Sequence, residues 1–229
     1  MPTLSLSGQY IHLFASVVLL LSFAMLAQRR IRTLIHLFAL QGFALVCSTT
    51  VVAWSSAQPH LYYSAALTLA LKVIVLPLIL YRLIERLQLR WDTETVLHIP
   101  ATLLLGLVLV VFAFGLAQPV SRLGDQVTQS TLGIAIAVVM LAFLMMITRR
   151  KAVTQVIGFL AMENGLFFAA TSATDGMPMV VELGIALDVL VGMLILGVFF
   201  FQIREQFDSL DIRHMERERE RAQEEAKQQ

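Results

Sequence analysis

Charge is scarce in this chain. Of its 229 residues only 14% are charged, against about 25% in an ordinary soluble domain. The few charges gather in short joints and in the stretch from Arg204 to Gln229. Most of the chain is therefore built for lipid, and a net charge of +1 gives no reason to expect a nucleic-acid partner. Cysteine is scarcer still. Cys47 stands alone in an apolar run, which excludes an internal disulfide and any multi-cysteine iron–sulfur or zinc site. Histidines 12, 36, 60, 98 and 214 are scattered, without HxxxH or HxxE spacing. The chain is expected to carry no metal or other cofactor; redox centres, if the larger system has them, belong to other subunits. The opening MPTLSLSGQYIHLF has no basic segment before its first apolar run and no small-residue cleavage motif after it. It reads as a retained first span rather than a signal peptide.

What is present is hydrophobic length: 58% of residues are apolar. A membrane-crossing helix needs about 20 mostly apolar residues. Seven such runs occur, near 9–27, 33–54, 60–84, 97–117, 129–148, 152–173 and 178–202, separated by polar or proline-bearing joints. Basic residues follow the odd-numbered spans: Arg29, Arg30 and Arg32; Arg82, Arg86 and Arg90; Arg149, Arg150 and Lys151; and Arg204. The remaining joints hold only Arg122. The positive-inside rule then places the N-terminus outside and the C-terminus in the cytoplasm.

Two segments repeat. IHLFALQGFAL (35–45) parallels VIGFLAMENGLFF (156–168), setting Gln41 against Glu163, and ALKVIVLPLIL (70–80) parallels ALDVLVGMLIL (186–196), setting Lys72 against Asp188. Spans 1–3 and 5–7 form parallel triplets, as expected for pseudo-symmetry about the membrane normal. The fold class expected is all-α and polytopic, with seven transmembrane helices arranged as two three-helix repeats. The first repeat covers 1–90, a linker helix and outer loop 91–128, the second repeat 129–203, and a cytoplasmic charged helix 204–229.

The chemistry-bearing residues are ionisable groups at the wrong depth. Lys72, Glu163 and Asp188 each lie about 10–12 residues into an apolar run, close to mid-bilayer at 1.5 Å per residue. An ionisable group there costs at least about 2.5–3.5 kcal/mol on insertion scales, so it needs a role or a partner. Pro77, five residues after Lys72, removes the amide that would bond the Val73 carbonyl and leaves a polar spot beside the amine. Each of these groups reads either as a proton relay or as a structural ion pair or hydrogen bond across helices. Lys72 and Asp188, at matching depths, are each expected to have a polar partner: the other, or a group on an adjacent subunit. Glu182 sits four residues past Pro178 and about 120° around the helix from Asp188. It is a candidate proton entrance or a wet interfacial carboxylate. Gln41 is placed to bond across helices. His36, near the cytoplasmic end of span 2, reads as the inner end of a relay, imidazole being the side chain suited to proton exchange, or as an ordinary histidine.

LKVIVLPLIL (71–80), LAMENGLFFAA (160–170), VELGIALDVLVG (181–192) and the LDI at 210–212 together resemble hydrogenase-4 component E over essentially the whole chain. That family supplies a membrane subunit of formate hydrogenlyase-type complexes built on group 4 nickel–iron hydrogenases. Lys72, Glu163, Glu182 and Asp188 stand at its polar positions, Gln41 more loosely. The second triplet also resembles the three-helix K-type subunit of complex I and Mrp-type antiporters. Asp188 stands where that subunit has its third-helix glutamate, while Glu163 falls three residues beyond the second-helix position, near Leu160. The resemblance implies a non-catalytic subunit. Nickel–iron and iron–sulfur centres would reside in soluble partners reached through the cytoplasmic loops and tail. Antiporter-like and other membrane subunits, and lipid, would surround the helices, and proton or sodium movement would be coupled to the redox chemistry. Alternatives left open are a structural scaffold of the membrane arm, a subunit of a cation/proton antiporter complex, and an autonomous small transporter.

Overall fold

In lipid a backbone must satisfy its own hydrogen bonds, and a helix does this within a single segment. The computed structural model describes residues 6–56, 59–86, 97–121 and 126–173, with Thr95 and Gly192. Apart from Gly192 these belong to one compact unit, residues 1–189; residues 190–229 form a second. The helices are α1 (Leu6–Ala27), α2 (Ile31–Ser56), α3 (His60–Thr68), α4 (Leu76–Arg86), α5 (Ile99–Ser121), α6 (Gln126–Thr148) and α7 (Ala152–Ala173). A π-helical stretch, Leu69–Val75, joins α3 to α4 into one continuous rod. Six spans in the described residues are therefore long and apolar enough to cross a membrane, and the chain is a multi-pass membrane protein. Their limits fall within a few residues of the first six hydrophobic runs. The seventh run (178–202), with Asp188 and Glu182, and the charged tail (204–229) lie outside the described residues.

α1 packs on α2, α5 and α6; α2 packs on α3, the π stretch, α4 and α7; α6 lies against both α5 and α7. An apolar cluster fills the space between α1, α2, α6 and α7, built from Val18, Leu45, Ile134, Val138, Phe167 and their neighbours. Among the described spans α5 is the least buried. Leu104, Val108, Val111 and Phe112 on it are exposed, as suits a side that meets lipid or a neighbouring subunit. Tyr10, Trp54, Tyr62 and Tyr63 are exposed near one end of the bundle, where amphipathic rings favour the membrane–water boundary. The opposite end carries Arg29, Arg30, Arg32 and Arg150.

Arg149 departs from that exposed arginine rim. It is 1% exposed, and its Nη2 donates to the carbonyls of Met25 (3.2 Å), Leu26 (3.0 Å) and Gln28 (2.7 Å). The last carbonyls of a helix have no partner within it, and a cation there also meets the negative end of the helix dipole. One side chain thus fastens the end of α1 to the end of α6. The backbone of Arg149 also bridges to Thr95. Burial pushes the guanidinium down to about 10, which leaves it charged at neutral pH.

Candidate intramembrane charge site

Pro77 shapes the helix around Lys72. Its ring crowds the carbonyl four residues back and it offers no amide, so a regular α-turn is lost there. The rod responds by widening: the amide of Leu76 bonds the carbonyl of Leu71, five residues earlier. Such single π-turns are rare and recur at functional sites. Lys72 sits in the middle of the widened stretch and is 1% exposed.

Opposite it, α7 presents Glu163, which is 2% exposed, and Lys72 Nζ lies 3.2 Å from Glu163 Oε1. Phe167, one turn further along α7, places its ring centroid 5.6 Å from the same ammonium, within reach of a cation–π attraction. Gly42 on α2 gives the rod room. A Cβ added there would come within 3.3 Å of Lys72 Cβ, tighter than ordinary contact. Gly165 does the same for α7 on α6, since its Cβ would meet Val138 Cγ1 at 2.9 Å and the Val139 amide nitrogen at 3.2 Å. Small residues are how apolar helices approach closely in lipid.

A second polar chain runs beside the ion pair. Asn164 Nδ2 donates to Gln41 Oε1 (3.2 Å), Gln41 Nε2 donates to Ser22 Oγ (2.9 Å), and Ser22 Oγ donates to the Val18 carbonyl (2.9 Å). The donors all point one way, from α7 through α2 to α1, and the chain ends on a helix carbonyl. Gln41 and Asn164 are completely buried. Amides hold such a chain rigid but do not pass protons readily, so its chemistry is that of a clamp. Asn164 Oδ1 is buried with no hydrogen-bond partner among the described residues.

The sequence candidates thus separate. Lys72, Glu163 and Gln41 lie in one buried polar layer made by the π stretch, α7 and α2. Among the described residues the partner of Lys72 is a carboxylate of this chain, Glu163. His36 is not brought to the layer. It lies on an exposed side of α2, where its Nδ1 donates to the Arg32 carbonyl (2.8 Å) and Tyr81 Oη reaches its Nε2 at 3.2 Å. Asp188 and Glu182 lie outside the described residues. Ser22, Asn164, Phe167 and Arg149 are not among the residues that sequence alone singles out. A lone hydroxyl midway along LLLSFAM and an asparagine directly after an intramembrane glutamate are the available signals for the first two. Among the described residues no three His, Cys, Asp or Glu side chains converge as metal ligands would.

No protein-family model matches the chain, and no solved structure matches it. Curated proteins do. Hydrogenase-4 component E of Escherichia coli is 24% identical over 203 residues, covering 88% of this chain and 93% of that protein, and the Shigella flexneri protein of the same name matches equally. This similarity is distant. A Mycobacterium tuberculosis protein, "uncharacterized protein Rv0085", is 33% identical over 201 residues. With 87% of this chain and 91% of that one aligned, the chain belongs to the family of the mycobacterial protein, with hydrogenase-4 component E as a more distant relative.

Proposed function

We propose that this chain is a non-catalytic membrane-arm subunit of a hydrogenase-type respiratory complex. In this reading it contributes an intramembrane charge pair to proton or sodium movement, driven by redox chemistry in soluble partner subunits. The observation that carries the proposal is the Lys72–Glu163 pair, 3.2 Å apart and almost fully buried in helices that cross a bilayer. A pair at that depth is costly to maintain, and burial brings little net stability over an apolar pair of equal volume. A site that exchanges one proton or cation while its partner changes charge gives such a pair a purpose. Similarity to hydrogenase-4 component E over most of both chains supplies the setting.

The repeat reading gains support from packing. α1 lies against α6 and α2 against α7, so the corresponding helices of the two triplets are neighbours. In this arrangement Asp188 is the counterpart of Lys72 and a second acid on the ion path, with Glu182 nearer the outer surface. The nickel–iron and iron–sulfur centres reside on partners. The N-terminus faces the periplasm and the basic end, with the tail, faces the cytoplasm.

The test is an assembled complex carrying Glu163→Gln. The expected result is normal assembly and electron transfer with ion translocation reduced at least tenfold. Unchanged translocation in a correctly assembled complex would leave the scaffold reading, in which the pair only fixes helix packing.

A further inference from the structure

The Lys72–Glu163 layer has unlike surroundings on its two sides. Contacts fix the level of each helix: Gly42 stands against Lys72, Gln41 against Asn164, and Gly165 against Val138 and Val139. Moving from that layer toward the end that carries Trp54, Tyr62 and Tyr63, the bundle buries six hydroxyls among the described residues: Ser48, Thr49, Ser64, Thr68, Thr131 and Thr171, none more than 4% exposed. Moving the same distance toward the arginine end, the buried side chains are apolar, among them Phe38, Leu76, Leu80, Ile157 and Leu160. Among the described residues, buried polar groups return only near that end, with Thr102, Thr148, Arg149 and Thr154.

One line of hydroxyls leads to the ion pair. Ser64 and Thr68 precede Lys72 by eight and four residues on the same rod, a spacing that keeps them near one face and spans about 12 Å. Buried Ser and Thr in helices ordinarily satisfy themselves on the carbonyl four residues back. Ser22, Thr49, Thr148 and Thr171 do so. Ser64 does not: its Oγ is buried with no partner among the described residues. Such groups are rare in folded proteins and are where ordered water is held, given further polar neighbours. Asn164 Oδ1, beside Glu163, is another. Phe167 lies over Lys72 at this side, and Thr171 is anchored to the Phe167 carbonyl one turn beyond.

We infer that water reaches the Lys72–Glu163 pair from one side only, along the Ser64–Thr68 ladder from the Trp54 end, while the apolar half seals the pair from the arginine end. The chain is then a half-channel. A proton arriving at the pair by this route does not continue straight through; it returns or moves sideways into a neighbouring membrane subunit. That last consequence rests on the proposed function, whereas the one-sided wetting does not.

Thiol accessibility tests it. In a Cys47→Ser background, the full chain carrying Ser64→Cys or Thr68→Cys is placed in vesicles of either orientation and exposed to a small, charged methanethiosulfonate. Tyr63→Cys, at an exposed position of the same end, controls for access to that face, and Leu80→Cys and Ile157→Cys report on the sealed half. Both ladder cysteines should label from the Trp54 end and not from the other, with the sealed-half cysteines unlabelled from either. Ladder cysteines that resist reagent on both sides, or sealed-half cysteines that label from the arginine end, would overturn the inference. Should a variant fail to fold, hydroxyl-radical footprinting of the unmutated chain decides the same point: Phe167 oxidised with Phe38 spared supports the half-channel, and the reverse pattern overturns it. Because none of these readouts involves ion movement, a wet ladder in a complex that moves no ions counts against the proposed function alone. A dry ladder in a coupled complex counts against the half-channel alone.

Discussion

Replacing Lys72 by Met separates a charge pair that needs both members from one that is incidental. The lysine is 1% exposed and lies 3.2 Å from a carboxylate that is 2% exposed. Removing only the ammonium leaves Glu163 buried opposite a thioether, where it loses the cation 3.2 Å away. Breaking one half of a buried pair costs about 3–5 kcal/mol, whereas replacing both halves by apolar groups of similar volume is near neutral. Glu163→Leu alone is expected to cost a similar amount, because it strands the ammonium. The double variant, Lys72→Met with Glu163→Leu, should recover most of the loss, so that it costs far less than the sum of the two single changes, as expected for sites in direct contact. For a chain of this size each kcal/mol moves the melting midpoint by roughly 2–4 °C by the scaling of soluble domains. Thermal unfolding of the purified chain in detergent would then show each single variant melting roughly 6–20 °C below the parent and the double variant close to it. Single variants that melt with the parent, or a double variant whose loss is the sum of the two, would refute the pairing argument.

Gln41→Leu removes the centre of the Ser22–Gln41–Asn164 chain and leaves the Asn164 amide without its acceptor; a loss of about 1–3 kcal/mol is expected, seen as a lower midpoint in the same melt. Arg149→Met takes the donor from three carbonyls at the end of α1 and should loosen that end, read as faster amide exchange at Gln28 and Arg29. Burial lowers the Arg149 pKa to about 10, so above that value the unfolded chain holds the proton more firmly and stability rises with pH. Below about 10 the group does not titrate in either state, and the difference in stability between parent and Arg149→Met should be flat from pH 6 to 9 by about the same reasoning. A difference that changes within that window would show that another group controls the joint.

Much of the helical layout was legible because lipid allows so few backbone solutions. The first six apolar runs coincide with helices because length and hydropathy alone decide that a segment spans. Lys72 and Glu163 were legible for the same reason: a charge inside an apolar run advertises its own cost. Which of the acids would face Lys72 was not legible. The repeat sets Lys72 against Asp188 in sequence; the contact among the described residues is Glu163, a pairing across helices that depends on rotation and depth a linear alignment does not encode. Pro77 signalled a disturbed turn, but whether the rod would kink or widen depends on how Gly42 lets α2 close against it. Arg149 was misleading in a different way. Its cluster reads as a solvated topology signal, and only the approach of α1 turns one of its three cations inward as a clamp.

The most direct test of the central claim is whether Glu163 changes protonation when the complex turns over. Infrared difference spectroscopy of the assembled complex, triggered by its electron donor, resolves the carbonyl stretch of a buried protonated carboxyl. A working relay predicts a turnover-dependent band in that region that disappears in Glu163→Gln while the signals of the redox centres persist. A difference spectrum identical in parent and Glu163→Gln would mean that the Lys72–Glu163 pair stays locked throughout, and it would contradict a role in ion movement.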